Sequence, residues 1–163
     1  MDAHDVIAQA AKTSRMILES YVSDLEDAEL LRRPGPGCNH IAWQLGHLIV
    51  AECGLLDSVR PGSAITLPEG FAETHSKENA DSDKAEEFCS KQQYLELLSQ
   101  TAAATQTALR SVSAEDLDAP APEHLRQMFP RVGDVFLLIA SHPLMHVGQW
   151  VPVRRALNKP VLI

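Results

Sequence analysis

His142 and His146 stand four residues apart, a spacing that on a helix places two side chains one turn apart on the same face. Two imidazoles so placed can share one metal ion. Zinc, and borderline ions such as nickel, accept neutral imidazole nitrogen, and catalytic sites commonly combine three protein ligands with one open position. His47 is the candidate for the third nitrogen. Water or a thiol bound to such an ion is deprotonated more easily than in bulk, which generates a nucleophile near neutral pH. With seven histidines in the chain, one pair at this spacing also arises by chance. A lone histidine near an apolar helical face is more often a hydrogen-bonded core or rim residue than a ligand. Whether the three rings meet depends on the elements that carry them.

His142 and His146 lie in the middle of a helix predicted over residues 134–157, with Val135, Phe136, Leu138, Ile139, Met145, Trp150 and Val153 as its apolar positions. Pro130 can sit near its start, where a missing donor costs nothing. Pro143 removes one backbone bond beside the histidines and is expected to bend the helix, and Pro152 to bend or interrupt it again. Arg154, Arg155 and Lys159 suit its C-terminal end. His47 falls inside a helix predicted from a cap at Asn39 to about Ser58. Its apolar residues Ile41, Trp43, Leu45, Leu48, Ile49, Leu55 and Leu56 cover a broad arc, and Gly46 marks a point where a neighbour or ligand can approach closely. Pro61 and Gly62 stop it.

Two further helices complete the set. Over residues 5–22, Val6, Ile7, Ala10, Met16, Ile17 and Tyr21 return at intervals of three and four, and residues 24–31 extend or turn that helix before the Pro-Gly-Pro-Gly run at 34–37. Ser90 followed by Gln93 is a capping box that opens a helix reaching about Val112, with Tyr94, Leu97, Leu98, Ala102, Thr105 and Leu109 as its inner stripe. Ser113 and Asp116 repeat the signal and start a short turn before Pro120 and Pro122. Residues 65–87 are polar, contain Pro68 and Gly70 and show no sustained period; a loop of that length spans a bundle or covers a site. Four helices, long connections and no strand-like alternation predict an all-α, four-helix bundle forming a single domain over residues 1–163. The long connection lets the second and third helices run parallel.

The bulk properties exclude several classes. The net charge is -8, with 22 acids against 14 bases, and no basic stripe could neutralise a phosphate backbone, so no nucleic-acid partner is expected. Cys38, Cys53 and Cys89 form no C-x-x-C pair, and an odd number suggests no disulfide framework. The start has no basic region followed by an apolar core, and no apolar run approaches the roughly eighteen residues of a membrane helix. The expectation is a cytoplasmic protein with no membrane partner.

The wording of two segments adds to this. Asn39, Ile41, Ala42, Trp43, Gly46, His47 and Leu48, read with His142, His146, Gly148 and Gln149, resemble the DinB/YfiT-like superfamily of metalloenzymes, in its DinB_2 branch. The resemblance covers almost the whole chain in order and spacing. It implies a four-helix bundle of up-down-down-up topology. It also implies a divalent metal held by the histidine of a G-H-L segment, here His47, and by the two of an H-x-x-x-H-x-G-Q segment, here His142 and His146. Zinc and nickel are the expected ions. The resemblance further implies thiol-dependent chemistry: an S-transferase joining a low-molecular-weight thiol to a small electrophile, or an isomerase using such a thiol, in a protein that often forms a homodimer. Some relatives have an acidic residue directly after the first histidine of the last segment; here that position is Pro143, which removes any acid-assisted step there.

Other roles follow from position. Gln149 is placed to face the bundle beside His146 and to hydrogen-bond a ligand or an imidazole, or else to serve as a packing amide. Asn39 orients a substrate or caps the helix. Trp43 walls a cofactor pocket or belongs to the core. Glu52 shares the face of His47 only loosely and is not read as a base. No serine elbow, phosphate loop or paired-carboxylate signature competes. The alternative reading keeps the histidines as packed polar residues of a catalytically inert bundle that binds a small molecule or serves as an oligomeric structural protein.

Overall fold

The computed structural model describes residues 1–162. The described chain is helical: α1 (Ala3–Val22), α2 (Asp27–Leu30), α3 (Ile41–Val59), α4 (Phe71–Thr74), α5 (Lys91–Ser111), α6 (Ala114–Asp118), α7 (Glu123–Arg126) and α8 (Val132–Ala156), with two 3-10 turns between α4 and α5. The long helices α1, α3 and α5 start where a side chain accepts one of their first free N–H groups. Asp2 and Asp5 form a reciprocal capping box on α1, and Ser90 with Gln93 and Ser113 with Asp116 do the same for α5 and α6. At α8, Arg131 occupies the cap position and its backbone N–H donates to Asp134 Oδ2 at 3.0 Å.

The start of α3 departs from the sequence expectation. Its cap is His40, whose Nδ1 accepts the Trp43 backbone N–H at 3.0 Å. Asn39 contributes its backbone carbonyl, which accepts from Gln44 Nε2 at 2.7 Å. An unprotonated imidazole nitrogen can do what a capping carboxamide oxygen does, and His40 already has the extended backbone that a cap requires.

The long helices α1 and α3 each pack against both α5 and α8. One half of the core gathers Leu18, Leu45, Ile49, Tyr94, Trp150 and Val153, and the other gathers Ile7, Leu56, Leu109, Phe136 and Ile139. Pro143 and Pro152 both lie inside α8, which continues through them for 25 residues. Of the two outcomes expected at Pro152, a bend or an interruption, the interruption does not occur, because each proline removes one donor while packing on α1 and α3 holds the rest of the helix. Arg154 lies in the last turn of α8, as expected, and is fully buried there. Its guanidinium donates to both carboxylate oxygens of Asp24, at 2.6 and 3.0 Å, and to the Tyr21 carbonyl at 2.7 Å.

The connection from α3 to α5 folds back over α3. His75 is buried with its ring against Gly46, so close that a Cβ on residue 46 would lie 2.0 Å from His75 Cδ2. His75 Nδ1 donates to the Phe71 carbonyl at 2.7 Å, which leaves Nε2 to accept the Tyr94 hydroxyl at 2.8 Å. His40 Nε2 donates to the Ser82 carbonyl at 3.1 Å, and Trp43 Nε1 to the Ser76 carbonyl at 3.0 Å. The long polar segment is thus fastened to the half of α3 that carries His47.

Candidate metal centre

His47 projects from α3 toward α8, where His142 and His146 project back. Each of the three offers a ligand atom, and these atoms lie within 4.8 Å of one another. Ring centroids are 5.4 Å apart for His47 and His142, 5.2 Å for His47 and His146, and 4.8 Å for the α8 pair. His142 Nε2 and His146 Nε2 stand 3.1 Å apart. For metal–nitrogen bonds of about 2.0–2.1 Å, a tetrahedral site separates its ligands by roughly 3.3 Å, so the α8 pair is already near the required spacing. His146 is 9% exposed, whereas His47 and His142 are half-buried. The outer side of the cluster is the accessible one.

Gln44 fixes the protonation pattern. Its amide oxygen accepts from Trp150 Nε1 at 2.9 Å and stands 2.9 Å from His146 Nδ1, and its amide nitrogen donates to the Asn39 carbonyl. An indole nitrogen can only donate, so the atom facing Trp150 must be the oxygen. His146 Nδ1 therefore carries the proton that the same oxygen accepts, and Nε2 turns its lone pair toward His142. This is the arrangement in which a neighbouring acceptor prepares a histidine for metal ligation. Gln44 is fully buried.

Burial disfavours protonation of all three rings. Desolvation holds His47 below the usual histidine range, with the charge of Lys77 adding to it, and holds His142 down with a contribution from His47. His146 is pushed down to about 4 by burial first, then by His142 and His47. Three imidazoles that resist protonation, with ligand atoms brought close together from two helices, fit a borderline divalent cation.

The other predicted residues are distributed differently. Trp43 is buried and stacks on His47, with centroids 5.0 Å apart and planes 7° from parallel, so it holds that ring from one side. Gln149 is exposed and makes no hydrogen bond to either imidazole of α8 among the described residues; the place beside His146 that the sequence suggested for it belongs to Gln44. Asn39 meets this network through its carbonyl alone. Sequence reasoning passed over Gln44, although a single amide inside the apolar run from Ile41 to Ile49 was the available signal. Glu52 lies on a different side of α3, bonded to Thr105 of α5. Cys53 is buried, and desolvation pushes its thiol up to about 11; Cys38 is exposed.

Comparison with known proteins agrees with the fold. No curated protein matches the chain. A conserved protein from Enterococcus faecalis, known from its crystal structure, is similar with a TM-score of 0.72 over 98% of this chain and 99% of that one, at 18% identity. That likeness is one of fold. The family model of the DinB superfamily matches residues 10–150, a span that includes all three histidines, and the chain belongs to the DinB superfamily.

Proposed function

We propose that His47, His142 and His146 together hold one divalent metal ion, zinc or nickel, and that the protein is a metal-dependent enzyme acting on small molecules. The observation that carries this reading is the convergence of three imidazoles from two helices, with the tautomer of His146 set by Gln44. When bound, such an ion supplies Lewis acidity that lowers the pKa of a thiol or water beside it. The chain's own residues supply the rest. His146 and His142 present a pair of nitrogens on consecutive turns of α8, Trp43 backs the His47 ring, and the accessible side between His47 and His142 admits the reactants. Pro143 offers no proton donor after the first histidine of α8, so no acid–base step is assigned to that position.

The reaction class proposed for the protein is transfer of a small thiol to an electrophile, or a thiol-assisted isomerisation, a reading that membership of the superfamily supports. A low-molecular-weight thiol suits the site better than the chain's Cys53, whose buried thiol stays protonated at neutral pH. The experiment is elemental analysis of protein purified without a metal-affinity tag, followed by a screen of small thiols against electrophiles with and without chelator. The reading expects about one metal per chain and thiol consumption that chelation abolishes. A metal-free protein that cannot be loaded, or thiol turnover indifferent to chelator, would sink it.

A further inference from the structure

A cavity of about 280 Å³ enters the bundle between α1 and α5, on a different side of α3 from the histidine cluster. His47 and Glu52 are five residues apart, which turns their side chains about 140° away from each other around the helix. The cavity exists because small side chains face it from three helices, Ala11 of α1, Ala102 of α5 and Ala140 of α8. Leu18, Leu98 and Ile139 give it apolar walls. Glu52 of α3 and Glu19 of α1 are its carboxylates.

The hydrogen bonding of Glu52 leaves that carboxylate short of partners. Thr105 Oγ1 donates to Glu52 Oε1 at 2.6 Å. Thr101 Oγ1 lies 3.5 Å from Oε2 but also 3.0 Å from the Leu98 carbonyl, and its single proton favours the nearer acceptor. No lysine or arginine forms an ion pair with Glu52 among the described residues. The guanidinium of Arg15, which also lines the cavity, is directed elsewhere: Nε to Glu19 Oε1 at 2.6 Å, Nη2 to the Leu95 carbonyl at 3.3 Å and Nη1 to the Leu98 carbonyl. Burial correspondingly raises the affinity of Glu52 for a proton. The charge of Arg15 reaches Glu52, but its N–H groups are held by other acceptors. An acceptor with one strong donor and no direct ion pair, at the edge of an apolar space, is complementary to a ligand that brings both a cation and a hydrocarbon body.

We propose that this cavity is a binding site for a small organic amine, with the ammonium group on Glu52 and the hydrocarbon part against Leu18, Leu98 and Ile139. The space is ample, since an apolar cavity of about 150 Å³ accepts benzene. The net charge of -8 draws cations toward the molecule. At the lining Arg15 and Glu19 pair with each other, and Lys12 stands beside them.

Isothermal titration of the full chain with hexylamine, hexan-1-ol and hexanoate tests this. EDTA is present throughout, so that the amine cannot ligate a metal at the histidine cluster and the outcome is independent of that site. Hexylamine is expected to bind saturably at one site per chain, at least about tenfold more tightly than hexan-1-ol, with hexanoate not binding. Glu52→Gln is expected to erase the preference for the amine over the alcohol while leaving metal uptake without EDTA unchanged. Ala102→Leu, which fills the cavity, is expected to abolish hexylamine binding. Absence of saturable amine binding to the unaltered protein, equal affinity for amine and alcohol, or undiminished amine binding by a folded Glu52→Gln or Ala102→Leu variant would each overturn the assignment. Should either variant fail to fold, the comparison of the three ligands on the unaltered protein decides.

Discussion

Gln44 serves three partners with one amide, and two of them, His146 and Trp150, depend on the same oxygen. Replacing it by leucine keeps the volume roughly but leaves two buried N–H donors unsatisfied. Gln44→Leu is therefore expected to lose about 1–3 kcal/mol of stability in urea unfolding and about 10–100-fold in metal affinity by competition titration. Full affinity in this variant would show that His146 needs no orienting partner. Protonation gives a second test at this scale. In the unfolded chain His146 takes up a proton near its ordinary value of 6.5, and in the folded chain only near about 4. Between those values the unfolded state binds more protons, so this contribution to stability is full above pH 6.5 and is lost as pH falls toward about 4. The urea midpoint of metal-free protein should drop across that window, and drop less in His146→Gln. The gathering of His47, His142 and His146 was legible in the sequence because the spacing of the α8 pair and the two segments are local patterns. The partner of His146 was not, because a helix offers Gln149 by sequence proximity and only the packing of α3 on α8 brings Gln44 there.

At the scale of elements, the close approach of His75 to Gly46 ties the long connection to α3. A methyl at residue 46 must displace a ring held at both nitrogens, by the Phe71 carbonyl and the Tyr94 hydroxyl. Gly46→Ala should cost about 1–3 kcal/mol, and the same change in a His75→Ala background should cost clearly less, since the obstacle is gone. Equal costs in the two backgrounds, measured by urea unfolding, would show that the contact carries no strain. The sequence marked Gly46 as a point of close approach but could not name the occupant, which arrives from 29 residues further along a segment without periodicity. The capping boxes at Ser90 and Ser113 were legible for the opposite reason, as both partners lie within four residues. The cap of α3 was misplaced by one residue because histidine is not a usual capping residue, whereas Asn39 is.

For the whole molecule, Arg154 fastens the end of α8 to the end of α1 through Asp24 and the Tyr21 carbonyl, with its guanidinium carbon 5.4 Å from the Tyr21 ring centroid. Arg154→Ala should destabilise the bundle by about 2–3 kcal/mol in urea unfolding, through the lost hydrogen bonds and the space left behind; Asp24, partly exposed, can return to water and limits the loss. The basic residues near the chain end read from sequence as helix-dipole partners, because burial of a single arginine depends on what α1 presents to it. No described helix is long and apolar enough to cross a membrane. The bundle places its metal-ligand candidates on two helices that touch, α3 and α8, so the central claim can be read from composition alone. The most direct measurement is the metal content of tag-free protein beside its His142→Ala variant: about one zinc or nickel per chain, lost in the variant, is the predicted result, and unchanged metal content in the variant would contradict it.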